Sequence, residues 1–92
     1  MEAQRDERVK EPAVARSATA RYWRQVGERA RAWRIERRWS QSQLAKRSAL
    51  PVEAIEGLER GDEPGHAMVP LRVAEALEVE PARLLLPESG DG

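Results

Sequence analysis

Between Tyr22 and Arg38 the apolar residues Trp23, Val26, Ala30 and Trp33 recur at three- to four-residue intervals, while Arg24, Glu28, Arg31 and Arg38 fall largely on other faces. This period predicts an amphipathic first helix with one buried stripe. Trp39 opens a connection. Ser40, followed three residues later by Gln43, forms a capping-box pattern, in which the hydroxyl accepts a backbone N–H and the amide reaches back to the cap. A second helix is predicted over about 41–48, with Leu44, Ala45 and Ser48 inward and the small Ala45 letting the next helix cross closely. Beyond the turn Ala49-Leu50-Pro51, a third helix is predicted over about 51–60. Pro51 has its φ preset for a first turn, Ile55 and Leu58 point inward, and Gly61 supplies a left-handed stop. Asp62-Glu63-Pro64-Gly65-His66 is loop by composition. A fourth helix starting near Pro70 takes Val73, Ala74 and Leu77, and a short fifth near Pro81 takes Leu84, Leu85 and Leu86 before Pro87 ends it.

The expected architecture is all-α, with one domain over 21–87. Residues 1–20 offer only Val9 and Val14 for packing, and Arg5, Arg8, Lys10 and Arg16 balance Glu2, Asp6, Glu7 and Glu11. They read as a disordered or partly helical arm, not a basic arm of the kind that enters a minor groove. Residues 88–92 read as a frayed tail. The chain has no cysteine, which excludes disulfides and thiolate metal sites, and its single histidine, His66, lacks a zinc partner. No metal or cofactor is expected. A glycine-rich phosphate loop and a partnered catalytic histidine are both missing, so an enzyme is not expected either. No apolar run approaches the about twenty residues of a membrane span, and the start lacks a signal peptide's apolar core. A cytoplasmic location without membrane association is the expectation.

Sixteen basic and sixteen acidic residues cancel overall but are unevenly placed. Residues 1–38 hold eleven Lys or Arg against six Asp or Glu, net +5; residues 39–92 hold five against ten, net −5. The separation suits a positive face toward phosphate and a negative face toward solvent or a partner; it equally fits solvated helix surfaces. Only Lys10 and Lys46 are lysines. Arginine suits bidentate phosphate contacts, although genome composition produces the same bias.

Taken in order, Gly27 and Arg34, then Ser40-Gln41 and Leu44-Ala45, then Ile55 with Leu58-Glu59-Arg60-Gly61, and later Ala74-Glu75-Ala76-Leu77, resemble the Cro and phage-repressor family of helix-turn-helix regulators. The similarity covers about Val26 to Leu86. It implies a five-helix DNA-binding fold in which Arg34 pairs with Glu59, tying the first helix to the end of the third. It also implies that Gln41 hydrogen-bonds a phosphate at the positive end of a helix dipole, and that Arg60 reaches backbone phosphate, with Lys46 and Arg47 adding charge nearby. The face near the start of the third helix then enters the major groove. Where such proteins commonly hold a positive-φ glycine this chain has Ala49, and a larger apolar residue is usual at Ser48, whose hydroxyl must find a backbone partner.

The outward face of the third helix carries Val52, Glu53, Glu56, Gly57 and Arg60. Val52 can meet a thymine methyl, and Glu53 can accept from a cytosine amino group. Glu56 either approaches phosphates unfavourably or pairs with Arg60 four residues on. Gly57 weakens the helix by about 1 kcal/mol relative to alanine, which marks either a close approach or a tolerated cost. Asp62 and Glu63 follow where relatives often carry basic residues. Two functions are therefore expected to compete. One is a sequence-specific regulator on double-stranded DNA, a homodimer with helices about 34 Å apart. The other is an interaction module whose acidic third helix engages a basic protein. Leu84 to Leu86 supply either a dimer contact or the monomer's own core. The tryptophans are expected as core filler rather than base-stacking platforms.

Overall fold

The computed structural model describes residues 13–87, which form α1 (Ala13–Glu36), α2 (Gln41–Ser48), α3 (Val52–Arg60), α4 (Met68–Leu77) and α5 (Pro81–Leu85), with no strand among them. This is the expected all-α, five-helix architecture. Residues 1–12 of the arm and the tail 88–92 lie outside the described residues. Helix α1 reaches back to Ala13, well before Tyr22. Residues 13–20 lack an apolar stripe to announce a helix, yet their alanines and arginine favour one intrinsically.

The core takes Val26 and Ala30 from α1, Leu44 and Ala45 from α2, Ile55 and Leu58 from α3, Val73, Ala74 and Leu77 from α4, and Leu84 from α5. Trp23, Trp33 and Trp39 pack against this core as expected, but only in part. They stand half-buried around an aliphatic centre that includes the small residues Ala30, Ala45 and Ala74. Their rings also make aromatic and cation–π contacts. Tyr22 meets Trp23 edge-on at 4.8 Å between centroids, Arg47 covers Trp39 at 4.3 Å, and Arg83 lies over Trp33 at 5.8 Å.

One close approach sets the crossing of α1 and α3. A Cβ added to Gly27 would lie 2.2 Å from the Leu58 carbonyl oxygen, closer than any real carbon approaches. Only glycine allows this contact.

Four helices end on one device. Arg38, Ala49, Gly61 and Glu78 take positive φ values of 62°, 58°, 97° and 62°. The next N–H then turns back to the last turn: Trp39 to Arg34 O, Leu50 to Ala45 O, Asp62 to Gly57 O and Val79 to Ala74 O, at 2.9–3.2 Å. These are Schellman ends. Arginines of α1 close other helices as well. Arg29 donates to the carbonyls of Leu84 and Leu86 at 3.0 and 2.6 Å, and Arg37 donates to Leu77 O at 2.6 Å. Tyr22 adds a hydroxyl donated to Leu85 O. Each cation meets the negative end of a helix dipole.

The helix starts are also defined locally. Ser40 Oγ accepts the Gln43 N–H at 3.0 Å while Gln43 Oε1 accepts the Ser40 N–H at 2.7 Å, completing the capping box. Pro51 stands one residue before the first helical position, with ψ at 151°, so it serves as cap rather than first helical residue. Helix α4 begins at Met68, earlier than Pro70, because His66 Nδ1 accepts the Met68 N–H at 3.0 Å. Ser48 buries its hydroxyl and donates it to Leu44 O at 2.6 Å.

Two substitutions of opposite sign test this backbone reading. Gly27→Ala should destabilise the domain by about 2 kcal/mol or more, because α1 and α3 must move apart. Ala49→Gly should stabilise it by about 0.5–1 kcal/mol, because the left-handed turn then carries no Cβ. Urea unfolding reads both, and equal shifts in the same direction would contradict the geometry.

Candidate nucleic-acid interface

Helix α3 packs on α1 and α2, and α2 packs in turn on α4, so α3 turns its remaining face outward. Its pose is fixed at the C-terminal end by a polar node. Arg34 donates from Nε to Glu59 Oε2 at 2.6 Å and from Nη2 to Oε1 at 3.0 Å, while its Nη1 donates to Trp39 O at 2.6 Å. The side chains are only 11% and 4% exposed. The implied Arg34–Glu59 pair is thus present, bidentate and largely buried. Gln41 joins it, donating from Nε2 to Glu59 Oε1 at 3.0 Å, which commits one of its two amide hydrogens inside the protein.

The outward residues divide into three groups. Glu53 and Glu56 are exposed and make no ion pair among the described residues, and Val52 is half-buried against the core, leaving part of its surface free. Lys46 and Arg47 are exposed in the last turn of α2, where Arg47 is drawn onto Trp39. Arg60 does not pair with Glu56. It donates from Nε and Nη2 to a single oxygen of Asp62, at 3.0 and 2.7 Å. That hydrogen bond, then the charge of Asp62, raises the guanidinium pKa further, and Glu56 contributes least.

Gly57 differs from Gly27. A Cβ there would make only ordinary contacts, 3.6 Å from Arg60 Nη2 and 3.7 Å from Asp62 Oδ2. The fold itself does not require this glycine.

The basic excess of the N-terminal half is only partly available as free surface charge: Arg21, Arg24, Arg31 and Arg38 are exposed. Arg29, Arg34 and Arg37 are turned inward on carbonyls and on Glu59. The sequence pattern missed this, because α1 arginines on its flanks look like solvated charges until the helix ends they close are in place. Among the described residues no group of three His, Cys, Asp or Glu could hold a metal ion, and no helix is long and apolar enough to cross a membrane.

No protein-family model and no curated protein matches the chain. Solved structures do. The restriction-modification controller protein C.AhdI from Aeromonas hydrophila is 34% identical, with 67% of this chain and 94% of that protein covered and a TM-score of 0.62. The chain belongs to the Cro and phage-repressor helix-turn-helix family. A second member of this similarity, the hypothetical transcription factor NHTF from Neisseria, is 26% identical over 76% of this chain and 80% of that protein, with a TM-score of 0.67. In this family's terms α2 and α3 are the helix-turn-helix, joined through Ala49, Leu50 and Pro51.

The ordinary contacts that a Cβ would make at Gly57 carry a prediction. Gly57→Ala should raise stability by about 1 kcal/mol, the interior helix gain, with no steric cost. A lowered thermal midpoint would show that the outward face is tighter than its contacts indicate.

Proposed function

We propose that this chain is a DNA-binding transcriptional regulator that reads the major groove with α3, as a homodimer on a pseudo-palindromic site. The observation that carries the reading is an α3 held outward by the Arg34–Glu59 node in a fold similar to those of a restriction-modification controller and a transcription factor. Gln41 retains a second amide hydrogen for phosphate beside the N-terminus of α2, Lys46 and Arg47 supply charge to the backbone, and Arg60 is a further phosphate contact when released from Asp62. Val52 and Glu53 are the base-reading side chains, toward a thymine methyl and a cytosine amino group. Two copies would set their α3 helices about 34 Å apart, one turn of DNA. Leu84 fills the monomer's core, so among the tail leucines it is Leu86, 61% exposed, that offers apolar surface to a second copy.

A second reading has its own motive. Glu53 and Glu56 lie exposed without an ion pair among the described residues, on the face that DNA would approach. A basic protein partner would find them complementary. Changing both to lysine should strengthen nonspecific DNA binding and abolish capture of such a partner; capture that survives the change removes this reading.

The DNA reading is tested by selecting duplexes from a random pool with the purified protein and measuring affinity across a salt series. The expected result is a selected, two-fold-related sequence bound above background. If no sequence exceeds nonspecific binding at about 0.1 M salt, the proposal fails.

A further inference from the structure

The C-terminal ends of α1, α2 and α4 follow a pattern that α3 breaks. In those three, the residue after the left-handed one is Trp39, Leu50 or Val79, and each packs against the core. A hydrophobic contact at this position commonly accompanies the Schellman end. After α3 the position is Asp62, which is exposed. Its backbone is nevertheless fixed: the Asp62 N–H donates to Gly57 O at 3.0 Å and the Gly61 N–H to Leu58 O at 3.1 Å. The cap therefore presents a carboxylate in place of an anchor.

That carboxylate takes Arg60. Nε and Nη2 both donate to Asp62 Oδ2, at 3.0 and 2.7 Å. Long helical side chains lie back over the preceding turn, and Arg60 does so above Gly57, within ordinary contact distance of where a Cβ would stand. The ion pair thus sits on the outward face of α3, one helical turn beyond Glu56.

We propose that Asp62 is an intramolecular mask for Arg60, occupying the guanidinium edge that a DNA phosphate would otherwise take and thereby weakening the grip of α3 on the backbone. The proposal rests on the DNA-binding reading. Carboxylate and phosphate oxygens are alternative acceptors for the same Nε–Nη2 edge, so one excludes the other. While Asp62 holds that edge, Arg60 brings no net charge to the phosphates and an approaching strand meets a carboxylate. The two side chains are 64% and 55% exposed, so the pair contributes little to folding and its loss leaves the domain intact.

The test compares the full native chain with Asp62→Asn, Asp62→Ser, Arg60→Ala and the Asp62→Asn/Arg60→Ala double variant. Each is titrated with a mixed-sequence duplex two helical turns long across a salt series. Both Asp62 variants should bind about tenfold tighter at low salt, the worth of one charged hydrogen bond. Their dependence of log affinity on log salt should steepen by about 0.9, one added phosphate neutralised. The gain should vanish when Arg60→Ala is added, and thermal unfolding of the Asp62 variants should match the native chain. An unchanged slope, or a gain that persists without Arg60, overturns the mask. Weaker binding overturns it too, and makes Asp62 a support that aims Arg60. If DNA binds but Asp62 has no effect, the mask alone fails. If neither this duplex nor selected duplexes bind any of the proteins, the DNA reading fails and takes the mask with it.

Discussion

The bidentate pair of Arg34 and Glu59 is the constraint on which the pose of the outward helix depends. It joins α1 to the last turn of α3, and through Trp39 O and the Gln41 amide it also holds the connection and the start of α2. Removing two charges from water offsets much of their attraction, so such a pair contributes geometry more than net stability. Here the geometry has a second source in Gly27, which lets α1 touch the Leu58 carbonyl one residue before Glu59. A glycine contact fixes the distance between the two helices; the ion pair fixes their register.

The same economy governs the other arginines of α1. Arg29 and Arg37 close α5 and α4 by donating to carbonyls that no helix bond satisfies, at ends where the dipole is negative. A helix that reads as strongly basic is thus partly consumed as internal capping. The charge that remains toward a polyanion is smaller than the sequence total indicates, and on α3 it is reduced again by the contact of Arg60 with Asp62. Fold and binding chemistry are separable: the node holds α3 outward whatever its outer side chains carry.

Much of this was readable from local signals with a short-range cause. The Ser40/Gln43 capping box, the Gly61 stop, the Pro81 start and the inward set Leu44, Ala45, Ile55 and Leu58 each need only a few neighbouring residues to specify them. The Arg34–Glu59 pair was visible only through resemblance, because its partners are 25 residues apart in sequence. Other features were hidden. Arg38 and Glu78 end their helices in left-handed turns without glycine, held by the apolar packing of Trp39 and Val79. The tryptophans follow a helical period yet stop at the rim, since a stripe gives direction but not depth. Arg60 had two acidic neighbours in reach, Glu56 and Asp62, and the Schellman turn decides between them by bringing Asp62 back to the helix.

The direct measurement is a double-mutant cycle on the node: urea unfolding of Arg34→Met, Glu59→Leu and the two together, with amide shifts of Val52–Arg60 recorded for each. A buried pair kept for geometry predicts that each single change costs about 3–5 kcal/mol, by stranding the remaining charge, while the double variant regains most of that loss with α3 shifted. Strictly additive losses, or full recovery with the α3 amides unmoved, would contradict it.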